Sequence, residues 1–269
     1  MMNKMVLRLV GWLVSAMVVV AGEKGTSGLY AFYNGAPRGD LVDEVLALKE
    51  AGYAGISQLY ASETGGKLAQ RVALYEQAGL KVLSVYLPAT TEPVKEEVVR
   101  PLANRGALIE LTVQKKIDED LISSIRKTAA MAEKLQIKVA LYPHAGFEVA
   151  TMPQAMALIE KVRHPNLGVM FNLCHFLKSE KVEDLEGVLE AAGDRLFAVS
   201  ICGADHDGKD WGSLIQTLDK GSFPQERLFK QLDKMAFEGP VSLQCYALKG
   251  DRRENLKKSM GAWRKLWRE

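Results

Sequence analysis

Eight short apolar runs, each followed by a longer amphipathic stretch, alternate along this chain from residue 28 to its end. The runs occupy 28–34, 53–59, 80–87, 107–113, 137–142, 167–173, 196–202 and 241–246. Between them, apolar residues recur with a helical period, which predicts helices over 40–51, 66–78, 93–104, 118–135, 152–162, 182–192 and 225–237, and a closing helix over 254–267. Strict strand–helix alternation commits a chain to parallel strands, because each helix carries the backbone back to where the next strand must start. Eight such units predict one α/β domain over 28–269, a closed (β/α)8 barrel. A doubly wound open sheet is the competing arrangement. It would more often use about five to seven strands, and no Gly-x-Gly-x-x-Gly turn follows the first run here. Gly52, Gly79, Gly106 and Gly239 each follow a helical stretch, where a left-handed residue closes the last turn.

The first residues stand apart from this alternation. Lys4 and Arg8 precede an apolar run from Leu9 to Ala21, and the small residues Ala21 and Gly22 follow. A charged start, an apolar stretch and a small-residue exit predict an export signal over residues 1–22. The competing reading is an uncleaved anchor, although a membrane span needs about 20 apolar residues. After cleavage the protein is expected to work outside the cytoplasm, periplasmic or secreted, with no stable membrane association. Cys174, Cys202 and Cys245 are three, and no Cys-x-x-Cys occurs, so they read as buried small side chains rather than a disulfide framework. Formal net charge is +2 on 269 residues, with no basic stripe, which argues against a nucleic-acid partner.

Strand parity then selects the side chains that look into a barrel. The inward set is Ser84 and Tyr86; Leu108, Glu110, Thr112 and Gln114; Lys138, Ala140, Tyr142 and His144; Gly168, Met170 and Asn172; Ala198, Ser200 and Cys202; Ser242, Gln244 and Tyr246. Its polar members gather at the C-terminal ends of the strands, where barrels of this kind build their sites. That cup suits a small, hydroxyl-rich ligand.

The order of these features resembles the xylose isomerase-like TIM barrels, the superfamily of sugar isomerases, sugar-phosphate epimerases and endonuclease IV. The resemblance is carried by KGSFPQERLFKQLDKMAFEGPVSLQCY (Lys220 to Tyr246) and by Asn172-x-x-His175, which stands where the family has Asp-x-x-His after its sixth strand. It implies a divalent metal held by Glu, Asp, His and Glu on strands five to eight. The corresponding residues here are Tyr142, Asn172, Cys202 and Gln244. None is a carboxylate, and hard cations need anionic oxygen. No metal is therefore expected at the usual family position, while one bound elsewhere stays open.

Glu110, a carboxylate on an inward face, is a candidate general base, unless Lys138 or another cation neutralises it. His144 and His175 are candidate acid–base groups, since imidazole works near neutral pH without a metal. Tyr86, Tyr142, Asn172, Cys202, Gln244 and Tyr246 are candidate sugar contacts, and Lys249 a contact for an anionic group. Asp205, Asp207 and Asp210 sit in a loop expected to overhang the mouth. Three functions fit this set: an isomerase or epimerase moving a proton beside a carbonyl, a lyase beginning with the same step, and a non-catalytic sugar-binding barrel. Phosphodiester cleavage of the endonuclease IV kind needs a metal cluster rich in histidine, and the chain has four histidines in all. The ligand is a small carbohydrate in every favoured case; the oligomeric state is not legible.

Overall fold

The computed structural model describes residues 28–60 and 67–266. The segment expected as an export signal lies outside them. Among the described residues, no helix is long and apolar enough to cross a membrane.

All sheet pairings are parallel. The strands are β1 (Leu29–Phe32), β2 in two pieces (Gly55–Ser57 and Leu59–Tyr60), β3 in two pieces (Lys81–Val82 and Ser84–Pro88), β4 (Leu108–Thr112), β5 (Lys138–Leu141), β6 (Leu167–Asn172), β7 (Leu196–Ile201) and β8 (Val241–Leu243). β1 pairs with both β8 and β2, and each piece of β2 pairs with a piece of β3. The remaining strands pair in chain order, so the sheet closes on itself as eight strands.

The interruption in β2 has a local cause. Gln58 adopts a left-handed φ of 58°. Its N–H therefore leaves the ladder and donates instead to Ser84 Oγ at 2.8 Å. A non-glycine residue in this conformation costs about 1–3 kcal/mol and persists only where its surroundings hold it.

The helices are α1 (Leu41–Ala51), α2 (Leu68–Gln77), α3 (Glu96–Val99), α4 (Glu119–Lys134), α5 (Met152–Val162), α6 (Leu173–Ser179), α7 (Leu185–Ala192), α8 (Trp211–Leu214), α9 (Gln225–Lys234) and α10 (Arg252–Leu266). Side-chain caps fix several starts. Asp40 accepts from the N–H groups of Val42 and Asp43 and opens α1, which Gly52 closes at φ 88°. Thr151 and Gln154 form a reciprocal capping box on α5. Thr151→Ala is expected to cost about 1 kcal/mol, read as a lower urea midpoint at unchanged slope. Three expectations need correction. The 93–104 stretch forms only α3 and a single 3-10 turn, Arg100–Leu102. Gly239 closes nothing; the chain turns after α9 at Ala236, whose φ is 51°. The stretch after β6 enters α6 at once, with Asn172 as its N-cap.

Two cores result. The larger lies between the sheet and its ring of helices. The smaller fills the barrel with Phe32, Leu83, Leu108, Ala140, Tyr142, Met170 and Ala198. This plug blocks the lower barrel, so only the upper end is free to hold a ligand.

Candidate active site

A cavity of about 280 Å³ opens at the C-terminal end of the strands. It is lined by residues from most of the strand ends: Asn34 after β1, Gln58 and Tyr60 in β2, Tyr86 in β3, Tyr142 and His144 after β5, His175 in α6, Trp211 and Ile215 around α8, and Gln244 and Tyr246 after β8. Among these described residues none carries a formal charge when its histidines are neutral.

The floor is organised around one phenol. The Tyr142 hydroxyl accepts from Asn172 Nδ2 at 2.5 Å and from Gln244 Nε2 at 3.3 Å. The oxygen ends of both amides are engaged elsewhere. Asn172 Oδ1 accepts from Cys174 Sγ at 3.1 Å. Gln244 Oε1 accepts the backbone N–H groups of Cys245 at 3.0 Å and Tyr246 at 2.9 Å. Burial pushes the Tyr142 phenol well above its usual 10, with Cys174, Glu110 and Tyr86 adding to the rise and the Gln58 amide opposing it. A phenol oxygen has two lone pairs and one proton. The Asn172, Gln244 and Gln58 amides all meet this one oxygen.

This cluster also tests the implied metal. Tyr142, Asn172 and Gln244 stand at three of the four implied ligand positions. They offer a neutral phenol and two amide N–H donors, with the amide oxygens already taken, which does not fit a hard divalent cation. The fourth position, Cys202, is not in the cavity at all. Its Sγ donates to Leu214 O at 3.2 Å within the outer core. Strand parity fails there because β7 ends at Ile201 and Gly203 pairs antiparallel with Gln216, turning the backbone. Among the described residues no three His, Cys, Asp or Glu side chains group as a metal site. Cys174, Cys202 and Cys245 are all free and buried.

The two histidines share one wall. Their ring centroids are 4.0 Å apart, and Phe147 stacks on His144 at 4.0 Å. Tyr142 lies 5.6 Å from His175 and 6.1 Å from His144, ring to ring. The backbone of Ala145 sets both tautomers. His144 Nδ1 faces Ala145 O at 2.9 Å, so it carries the proton and leaves Nε2 with a lone pair. The Ala145 N–H donates to His175 Nδ1 at 3.3 Å, so the His175 proton sits on Nε2. Burial lowers the pKa of His144, and burial followed by the His144 charge lowers that of His175 to about 3. Both are neutral at pH 7.

Glu110 faces the barrel interior but does not line the cavity. It is buried below the floor, where Ser84 Oγ donates to its Oε1 at 2.5 Å and Oε2 has no partner. Burial pushes its carboxyl up to about 7, with the Ser84 bond opposing. Lys138 does not neutralise it; the ammonium lies 4.9 Å over the Phe197 ring instead. Asn172 likewise acts from below, through Tyr142. Lys249 is exposed on the loop after β8 and is not in the lining. Asp210 caps α8 and Asp207 pairs with His206, so neither serves the cavity.

Sequence reasoning missed Asn34, Gln58, Tyr60, Trp211 and Ile215. The first three follow the same rule that flagged Asn172, a polar residue at a strand's C-terminal end. Trp211 and Ile215 belong to the Asp-rich loop and carry no periodic signal.

Comparison with known proteins places this geometry. The ketose 3-epimerase of Arthrobacter globiformis is 28% identical over 148 residues, which cover 54% of this chain and 47% of that protein. The chain thus spans about half the length of the curated relative it matches. The D-psicose 3-epimerase of Clostridium cellulolyticum H10, solved with D-tagatose, superposes with a TM-score of 0.69 at 15% identity, over 90% of this chain and 98% of that one. The 3-keto-D-glucoside 4-epimerase of E. coli gives 0.69 at 15%, over 88% and 98%. Identities this low speak for the fold alone. The model of the xylose isomerase-like TIM barrel, however, matches residues 45–266, most of the 269, and the chain therefore belongs to that family.

Proposed function

We propose that this protein is a carbohydrate isomerase or epimerase that moves a proton on carbon beside a carbonyl in a neutral sugar, with no divalent metal among Tyr142, Asn172 and Gln244. The observation that carries the reading is that the Tyr142 hydroxyl and His144, whose Nδ1 faces Ala145 O and leaves Nε2 a lone pair, line one cavity. Taking a proton from carbon next to a carbonyl leaves an enolate, and the enolate needs a donor at its oxygen. The Tyr142 O–H fills that role, and His144 Nε2 accepts the carbon proton. His175 Nε2–H adds a second donor on the same wall. Glu110, buried beneath the floor, acts on the site only through its charge.

The uncharged lining supports a neutral substrate. Phosphate and carboxylate groups would enter a cavity without a cation, and the desolvation of that charge would go uncompensated. The sugar epimerases among the relatives support the substrate class. The charged start and apolar run of residues 1–21 support work outside the cytoplasm.

Turnover of a panel of neutral aldoses and ketoses, with and without EDTA, tests the proposal. Activity is expected to survive the chelator, and His144→Ala is expected to lower kcat by about 10²-fold or more. Loss of activity in EDTA with recovery in Mn²⁺ would refute the metal-free site. Full activity in His144→Ala would refute the base. Binding without turnover of any sugar would leave the barrel as a sugar-binding protein.

A further inference from the structure

The cavity is small for what surrounds it. Its volume of about 280 Å³ sits at the foot of the range for small-molecule pockets, about 300–1,000 Å³. That suits one sugar ring. Yet two large aromatic side chains in the lining remain exposed. Trp211 is 37% exposed and Tyr246 is 56% exposed. The other exposed large apolar residues among those described, Val42 and Leu46, sit a turn apart on α1, away from this cavity. The mouth therefore concentrates aromatic surface that the protein does not bury.

These rings belong to neighbouring sectors of the rim. Trp211 opens α8 after β7, and Tyr246 follows β8, the next strand in the barrel. Both are held from behind. Asp210 caps α8 through the N–H groups of Gly212 and Ser213. The His175 ring meets Trp211 edge-on at 5.3 Å, and Lys178 Nζ lies 5.7 Å from its centre while bonding Lys209 O. The Tyr246 N–H is tied to Gln244 Oε1 at 2.9 Å. The rim aromatics are thus anchored to the two residues, His175 and Gln244, that shape the floor and wall.

A carbohydrate ring offers a flat apolar face of C–H groups with hydroxyls at its edge, and an indole or phenol face covers such a surface without needing a charge. We propose that Trp211 and Tyr246 form a subsite for a second sugar ring, so that the natural ligand is a neutral glycoside or disaccharide whose reacting ring enters the cavity and whose other ring rests on the rim. This rests on the neutral-sugar reading above and adds the size of the ligand to it. The cavity lining itself has no cation, and the ammonium beside the rim, Lys178 Nζ at 5.7 Å from the Trp211 centre, is bonded to Lys209 O.

Isothermal titration tests this without requiring turnover. The probes are glucose and galactose, their methyl glycosides, and the disaccharides cellobiose, maltose and lactose, titrated into the wild-type protein and into Trp211→Ala, Tyr246→Ala and the double variant. At least one two-ring ligand is expected to bind about tenfold tighter than its single-ring unit, and the ratio is expected to collapse toward one in the double variant. Equal affinity for one-ring and two-ring ligands in the wild-type protein overturns the subsite. So does a ratio that persists in the double variant. Each of those outcomes leaves the neutral-sugar reading intact if single rings bind. Failure of every neutral sugar to bind overturns both. Trp211→Phe and Tyr246→Phe, which keep a ring at each place, are expected to retain most of the ratio and so guard against a fold defect.

Discussion

Tyr142→Phe is expected to lower kcat by about 10²–10³-fold, the usual cost of deleting one donor to a developing oxyanion. The effect should fall on kcat more than on KM, because the O–H matters most when negative charge builds on the substrate oxygen. The same substitution removes the acceptor of Asn172 Nδ2 and Gln244 Nε2, both buried. Each stranded amide donor costs about 1–3 kcal/mol, so stability should drop as well. The two consequences separate cleanly in one experiment: denaturant midpoints report the amides, and steady-state kinetics under folding conditions report the donor. Unchanged kcat in a folded Tyr142→Phe protein would remove Tyr142 from the chemistry. A structural role would still show in the midpoint.

Glu110→Gln is expected to change the pH dependence of stability more than any surface substitution. The Glu110 carboxyl is raised from 4.5 to about 7 in the folded protein. The folded state therefore holds its proton more tightly than the unfolded chain. Its contribution is fully present below about pH 4.5 and is lost as pH climbs through about 7, a change on the order of 3 kcal/mol. His175 works in the opposite direction. Its pKa falls from 6.5 to about 3, so the unfolded chain binds that proton first and stability is lost as pH falls through this window. Between about pH 4.5 and 6.5 the two groups oppose each other. Removing Glu110 leaves His175 unopposed, so the variant should gain stability relative to wild type as pH rises from 4.5 to 7.5. The difference between the two unfolding curves, taken at each pH, cancels every group the proteins share. A flat difference would mean that Glu110 titrates as an ordinary exposed carboxylate.

The barrel was legible because its signals are local and repeated. Eight apolar runs, the helical periods between them and the glycine after α1 all name the same architecture. Strand parity also brought Tyr86, Tyr142, His144, Gln244 and Tyr246 to one cavity. It failed where the backbone stops being a strand. Cys202 lies one residue past the end of β7, and the following bridge to Gln216 turns its thiol into the outer core. Parity also says which way a side chain points, not how deep it lies, which is why Glu110 faces inward and yet sits below the floor. The left-handed Gln58 and the immediate entry of the chain into α6 depend on partners distant in sequence, Ser84 for the first and the packed barrel for the second. Nothing in a window around residue 58 or 173 announces either.

The backbone of Ala145 has a stereochemical consequence. By accepting a hydrogen bond from His144 Nδ1–H and donating one to His175 Nδ1, it leaves the wall with a single free basic lone pair, on His144 Nε2. A site with one base removes and returns hydrogen on the same face of the planar enediol. That favours passing the hydrogen between adjacent carbons over inverting one carbon, which needs a second base opposite. An isotopic label placed on the substrate carbon would then travel with the imidazole and reappear on the neighbouring carbon of the product.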